Sequence, residues 1–478
     1  MTFGLLDISL TLLALHLAGV AAAVHAVLTV RTSQGAVAWC IALLTVPYLT
    51  LLPYLFLGRR RFADYVAARR FVVERMHEQA AQLGWRPLRE LASDLIVSPG
   101  HGCVRTWSRL AGLPTTGHNR ARLLVDGEAT FAAILAAVGA ARHCVLVQSF
   151  IVHDDATGRA LQRVLIERAA AGVRVHFLYD SIGSHALPAR YIESLRAAGV
   201  EAHAFVATRG VVNRFQVNFR NHRKLVVVDG ERAFVGGHNV GDEYLGRRPP
   251  LSPWRDTHVE LLGPVAALLQ LCFTEDWYAA TQRVPALRMP KQADGGTVAC
   301  QVIPSGPADR FETGSLMFVE AIHAARRRLW LSSPYFVPDE AVSAALRLAV
   351  LRGVDVRVLL PSRPDHRVVF AASTLYACEA ARAGVQVFRY RPGFLHQKVV
   401  LVDDEIALIG SANLDNRSFR LNFELTVATI DAHFAREVEA MLAADFARAE
   451  PLGPGALAAL PLWRRVGMSL ARLFAPIL

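Results

Sequence analysis

The sequence predicts an α/β protein: two fused α/β sandwich repeats preceded by a two-helix transmembrane hairpin. Three observations carry that expectation. Two uncharged apolar stretches fill the amino terminus. A strand–helix–strand pattern then runs twice between Leu123 and Ala449. Each run closes on the same short polar motif, at the same place in the pattern.

The apolar stretches are Ile8–Val30 and Gly35–Leu57. Each is long enough to cross a hydrocarbon core of roughly 30 Å at about 1.5 Å per residue. Arg31–Gln34 is a connection of hairpin length. A cleaved signal peptide fits poorly, because no basic region precedes the first stretch and a second span follows at once. Gly58-Arg59-Arg60-Arg61, with Arg69 and Arg70 nearby, closes the hairpin. The positive-inside bias puts that flank, and the body after it, in the cytoplasm. His16, His25, Pro47 and Pro53 within the spans read as packing or kink residues rather than a proton path.

Residues 58–120 form a partly helical connector, in which Phe62–Gln82 has the apolar/charged alternation of an interfacial helix. The first repeat covers 121–285 and the second 286–450. In the first, Cys144–Val152, Gly172–Tyr179, Ala198–Ala202 and Asn221–Asp229 read as strands. Their counterparts are Leu329–Val337, Gly353–Leu360, Ala383–Val387 and Leu395–Asp403. These runs are rich in valine and leucine and bounded by glycine and helical segments, as buried strands of an α/β sandwich are. Proline and glycine thicken between Gly246 and Gly296, where the repeats join. In the tail, 451–478, Trp463, Val466, Leu470 and Leu473 share a face, with Arg464, Arg465 and Arg472 among them. A helix lying on a membrane and an ordinary packing helix both fit that pattern.

Composition narrows the partners. The chain is 53% hydrophobic with a mean hydropathy of +0.28, which suits a soluble body carrying a small membrane part. A net charge of +11 calls for an anionic partner: nucleic acid, an anionic membrane surface or a phosphate-bearing substrate. Six scattered cysteines have neither disulfide nor metal-ligand spacing. Of 52 basic residues only Lys224, Lys291 and Lys398 are lysines, so lysine persists where a compact, rotatable ammonium serves better than a planar guanidinium.

Two of those lysines lie in the repeated motif His-x-Lys-x4-Asp: His222, Lys224 and Asp229, then His396, Lys398 and Asp403. On a strand, alternation puts histidine and lysine on one face. Gly236-Gly237-His238-Asn239 and Gly410-Ser411-Ala412-Asn413 follow at matching distances. These residue types suit phosphodiester chemistry. Two ammonium groups, with Asn239, Ser411 and Asn413, neutralise the phosphate oxygens. One imidazole attacks phosphorus while the other protonates the leaving alkoxide and later serves as base. One neutral and one protonated histidine are needed, and an ordinary pKa near 6.5 makes both reachable. No metal or other cofactor is required. Aligning the repeats sets Trp254–Val259 against Asn422–Val427, so Asp256 and Glu424 are the candidate orienters of the histidines. Asp229 and Asp403 belong to the motif's catalytic set, but at strand ends their task reads as shaping the following turn. His238 and His258 lack counterparts and read as local hydrogen-bonding residues. Arg209, Arg214, Arg220 and Arg223 form either a solvated face or a receiver of anionic headgroups.

The doubled motif resembles the phospholipase D superfamily. Arg220–Gly230, Phe234–Gly237, Gly241–Leu245, Trp254–His258, Ser333–Asp339, Gly410–Phe419 and Leu421–Glu424 are similar to bacterial cardiolipin synthases, as is the double span followed by Gly-Arg-Arg-Arg. The resemblance runs over nearly the whole chain and is weakest between Arg59 and Arg122. It implies an inner-membrane enzyme that moves a phosphatidyl group from phosphatidylglycerol to a second phospholipid through a phosphohistidine. By the same analogy His222 is the nucleophile and His396 the acid and base, an order that the near-symmetry of the repeats does not decide. Gln148-Ser149 stands where the family tends to carry an acidic and aromatic pair, which would alter the acceptor if that strand shapes the acceptor pocket. Hydrolysis by the same residues is the alternative, and water exclusion by the hairpin favours transfer to an alcohol. A nuclease fits the charge but not the two spans or the lack of an aromatic-interleaved basic stripe. A non-enzymatic scaffold would have lost a motif residue, and none is lost.

Overall fold

The computed structural model describes residues 5–30, 33–58, 102–205, 219–288 and 293–477. The amino-terminal helices and the α/β body fall in separate compact units. The expected interfacial helix Phe62–Gln82, the basic flank Arg59–Arg61, and Arg209, Arg214 and Lys291 lie outside the described residues.

The amino terminus holds α1 (Leu5–Thr29), α2 (Ser33–Thr45) and α3 (Pro47–Leu57). Ser9–Thr29 is long and apolar enough to cross a membrane. The second apolar stretch is helical too, but broken at Val46, whose φ of −136° leaves the helical region. Pro47 is the cause, since its ring disfavours helical backbone in the residue before it and removes an N–H. Small residues let α1 and α2 approach: a Cβ on Gly19 would stand 2.4 Å from the Leu43 carbonyl oxygen. Ala23, Ala26, Leu43 and Tyr54 are buried there, and His25 Nδ1 meets the Tyr54 hydroxyl at 2.6 Å. Leu13, Leu17, Val24, Val27 and Leu28 point outward. Apolar residues turned outward around a small-residue seam are what a lipid solvent selects.

The body is built on one sheet of 16 strands among the described residues, 15 in a continuous order and the short Arg220–Asn221 paired beside it to Asn422–Phe423. The first repeat supplies β1 (Thr116–Val125), β2 (Cys144–Ser149), β3 (Arg174–Asp180), β4 (Glu201–Phe205), β5 (Leu225–Val228), β6 (Arg232–Gly236) and β7 (Thr257–Leu262). The second supplies β8 (Val298–Ser305), β9 (Arg328–Ser332), β10 (Asp355–Pro361), β11 (Gln386–Tyr390), β12 (Val399–Val402), β13 (Ile406–Gly410) and β14 (Asn422–Ile430), with β15 (Ala449–Pro451) at the edge. The order is β15-β11-β10-β9-β12-β13-β14-β8-β1-β7-β6-β5-β2-β3-β4, a near palindrome about the antiparallel pair β8–β1. Within each repeat three parallel strands joined by helices meet an antiparallel hairpin. The crossover helices are capped alike: Asp155 accepts from the Gly158 N–H and Asp339 from the Val342 N–H.

Each repeat has its own apolar core. The end of the connector joins the second one: on α4 (Gly102–Ala111), Trp107 is fully buried and donates its indole N–H to the Met317 carbonyl at 3.2 Å. The tail helix, α5 (Leu462–Arg472), packs against residues 367–382 of the second repeat.

Candidate active site

The motif strands bring His222, Lys224, His396 and Lys398 into one buried cluster between the repeats. Just before β5, Arg220–Asn221 pairs in parallel with Asn422–Phe423 of the second repeat. Just before β12, Phe394–Leu395 pairs with Trp254–Arg255 of the first. The His222 N–H then donates to the Phe423 carbonyl at 2.9 Å, and the His396 N–H to the Arg255 carbonyl at 2.8 Å. These reciprocal contacts set each histidine beside the carboxylate of the opposite repeat. His222 Nδ1 lies 2.9 Å from Glu424 Oε2, and His396 Nδ1 lies 2.7 Å from Asp256 Oδ2. Both carboxylates are fully buried. Neither repeat therefore contains a complete histidine–carboxylate pair of its own.

A carboxylate on Nδ1 selects the tautomer that carries its proton there, leaving the Nε2 lone pair for chemistry. Burial, only partly offset by Glu424, lowers His222 to about 4. Burial and the two nearby ammonium groups hold His396 well below the ordinary histidine range. The substrate-free site thus keeps both imidazoles neutral, where the ordinary pKa suggested one of each form. A phosphodiester monoanion placed against them would raise both values, so the acid form depends on bound substrate. For Glu424, burial pushes upward, but the His222 N–H, Lys224 and Ser411 outweigh it and keep the carboxyl below its usual range.

The lysines share the histidines' face. Lys224 Nζ donates to the His222 carbonyl at 2.7 Å and sits 5.3 Å from the Phe150 ring centre. Lys398 Nζ donates to the His396 carbonyl and lies 2.9 Å from His396 Nδ1. Burial is the main cause that lowers Lys224 to about 7 and Lys398 to about 8, values at which an arriving phosphate would restore full charge. Phe150 stands edge-on to His222 at 5.0 Å, and Trp254 leans on His396 at the same distance.

The two carboxylates are held differently. Glu424 accepts from Ser418 at 2.8 Å, Asn422 at 3.0 Å and Ser411. Asp256 accepts from the Thr257 N–H at 2.8 Å, and a Cβ on Gly237 would come 2.0 Å from its Oδ1. Ser411 was expected at the phosphate; its hydroxyl is instead committed to Glu424. Asn239 donates to the Tyr244 hydroxyl at 2.9 Å, whereas Asn413 Oδ1 is buried without a hydrogen-bond partner. Asp229 and Asp403 stand apart from the cluster. Each adopts positive φ and gathers three backbone N–H groups, of Arg142, His143 and Cys144 or of Arg326, Arg327 and Arg328. They fasten the hairpin turn to the start of the neighbouring strand.

Residues between histidine and lysine point to the other face. Arg223 is buried and pairs with Asp276 at 3.0 Å, so it is not a headgroup receiver, and Gln397 donates to Asp445 at 3.1 Å. Gln148 joins the first of these networks, donating to Asp276 at 2.6 Å and to Asn221 at 2.8 Å. His238 and His258 are buried with their Nδ1 atoms 3.0 Å apart, and burial lowers both to about 3. Sequence reasoning missed Ser418, Asn422 and Gly237. Asn422 stands two residues before Glu424 on one strand, so the parity that paired histidine with lysine could have found it.

The family model described as "Cardiolipin synthase, PLD-like domain" matches residues 134–248 and 318–446, and a phospholipase D-nuclease amino-terminal model matches 17–59. Cardiolipin synthase A of Pseudomonas aeruginosa strain LESB58 is 60% identical over 98% of this chain and 96% of its own length. That of Pseudomonas fluorescens is 59% identical over 97% of both. Among solved structures, phosphatidylserine synthase of Haemophilus influenzae Rd KW20 shares the fold, with a TM-score of 0.59 at 14% identity over 79% of this chain and all of that one. The chain belongs to the bacterial cardiolipin synthases of the phospholipase D superfamily and is a membrane enzyme of the phosphatidyltransferase type.

Proposed function

We propose that the enzyme transfers a phosphatidyl group from phosphatidylglycerol to a hydroxyl of a second phospholipid, usually another phosphatidylglycerol, through a phosphohistidine. The observation that carries this reading is the pair of crossed histidine–carboxylate contacts flanked by two buried lysines. One imidazole Nε2 attacks phosphorus and forms the P–N bond. The P–O bond to glycerol breaks, and the second imidazole delivers its proton to the departing oxygen. Glycerol leaves. The same second imidazole then takes the proton of the incoming hydroxyl, which attacks phosphorus and releases the first histidine. Lys224, Lys398 and Asn413 receive the phosphate oxygens, while Asp256 and Glu424 stabilise the positive charge that each ring carries in turn. Following the amino-terminal precedent, His222 is the nucleophile. Side-chain exposures of 10% for His222 and 9% for His396 leave little room for water, which favours an alcohol acceptor over hydrolysis. The two apolar stretches and the basic residues after them support an inner-membrane enzyme with two passes and a cytoplasmic body.

The test is incubation of purified enzyme in mixed micelles with phosphatidylglycerol, with and without phosphatidylethanolamine, beside His222→Ala. Cardiolipin and glycerol from the parent alone are expected. Phosphatidic acid as the main product would make the enzyme a hydrolase.

A further inference from the structure

The tail helix α5 buries one face and leaves another bare. Met468 and Ala471 are buried, as is Ala475 just beyond; Ala471 and Ala475 join Val337 and Ala372 in a small cluster of the second repeat. Arg472 pins the helix to that repeat through Glu379 at 2.8 Å, with its guanidinium over Tyr376. On another side Leu462, Trp463, Val466, Leu470, Leu473 and Phe474 are exposed, Trp463 by 69% and Leu473 by 73%. At about 100° per residue these six span an arc of roughly 120°, separate from the buried face. A helix that needed only to pack would not carry a second apolar stripe, ending in a tryptophan, toward water.

Charge identifies the occupant. From Pro451 to Leu478 the sequence has no aspartate or glutamate, and Arg465 lies about 60° from the edge of the stripe. Arg464 lies over the Trp463 ring. An apolar stripe with an interfacial tryptophan, flanked by arginine and free of acidic groups, matches an anionic bilayer surface. A second copy would present the same positive flank and be repelled. We propose that α5 is a membrane-docking surface on the catalytic body, seated in the headgroup layer of an anionic leaflet and independent of the amino-terminal hairpin. The packing face fixes the helix to the second repeat, so docking there would hold the body itself at the bilayer.

Full-length enzyme in anionic proteoliposomes tests this in two ways. Brominated phospholipids should quench tryptophan emission of the parent more than that of Trp463→Phe, a readout that needs no enzymatic activity. Equal quenching would overturn the proposal, and a change in oligomeric state on mutating the stripe, without any quenching difference, would assign the face to self-association instead. For Leu470→Glu/Leu473→Glu, KM for bilayer phosphatidylglycerol should rise roughly tenfold. Turnover of monomeric short-chain phosphatidylglycerol should stay at the parent level, showing an intact fold. An unchanged bilayer KM would also overturn the proposal. This second readout rests on the proposed activity; its failure with every lipid would strike that activity, and the quenching result would still stand alone.

Discussion

Replacing Glu424 by glutamine isolates the electrostatic contribution of one crossed pair. The side chain keeps its length and an acceptor oxygen but loses its charge. Glu424 lies 2.9 Å from His222 Nδ1. At an effective dielectric constant of about 20, Coulomb's law gives 332/(20 × 2.9), or about 6 kcal/mol, between the carboxylate and a fully charged ring. That is about four decades in rate, and it is a ceiling, because charge on the ring is only partly developed in the transition state. Losses of about 10⁴ accompany neutralisation of the aspartate behind a catalytic histidine in serine proteases. The expected fall in kcat for Glu424→Gln is therefore 10³- to 10⁴-fold. Single-turnover quench-flow with phosphatidylglycerol, following glycerol release and phosphohistidine trapped in an alkaline denaturing quench together, measures it. Unfolding temperature must be recorded alongside, since Ser411, Ser418 and Asn422 lose their charged acceptor as well. A variant that folds normally and turns over within tenfold of the parent would refute the argument that carboxylate charge stabilises the phosphorylated ring.

Gly237→Ala should cut activity by at least about a hundredfold, because its Cβ would collide with Asp256 Oδ1 and turn that carboxylate from His396; lipid turnover assays decide it. Asp229→Ala should lower stability by about 3 kcal/mol, since three backbone N–H groups lose their charged acceptor, while kcat of the folded fraction stays within about threefold; thermal unfolding and turnover measured together separate the two effects. The contribution of Lys224 and Lys398 to the stability of the substrate-free enzyme should rise between pH 7 and 10. Lys224 and Lys398 are lowered to about 7 and about 8 in the fold, so the unfolded chain, with lysines near about 10.4, binds more protons across that window. Scanning calorimetry of the parent against Lys224→Met/Lys398→Met should find the rise much reduced in the variant.

Much of this architecture could be read before any coordinates. The repeat was visible because both copies keep the order of buried strands, and period-two alternation placed His222 with Lys224 and His396 with Lys398. Alignment of the repeats singled out Asp256 and Glu424. What alignment could not reveal was that each serves the other repeat's histidine, because that exchange depends on two-residue strand pairings at Arg220–Asn221 and Phe394–Leu395, too short to leave a periodic signal. Ser411 illustrates a second limit. Its place in the motif matched Gly237, so it looked like a spare donor for phosphate, whereas the longer glutamate of the second repeat reaches it and takes its hydroxyl. The break in the second apolar stretch was legible in Pro47. Gln148 drew attention by its position on the strand, and only the neighbouring helix, with Asp276, explains which way it turns.

The crossed pairs also set a timetable for the growing chain. His222 leaves the ribosome about two hundred residues before Glu424, and His396 waits for nothing, since Asp256 has already been made. A nascent chain that has reached only the end of the first repeat holds His222 with no Glu424 behind it. Under the proposed mechanism, reactivity is thus deferred until translation is nearly complete, and a fragment ending before Glu424 would carry the first motif without its supporting carboxylate.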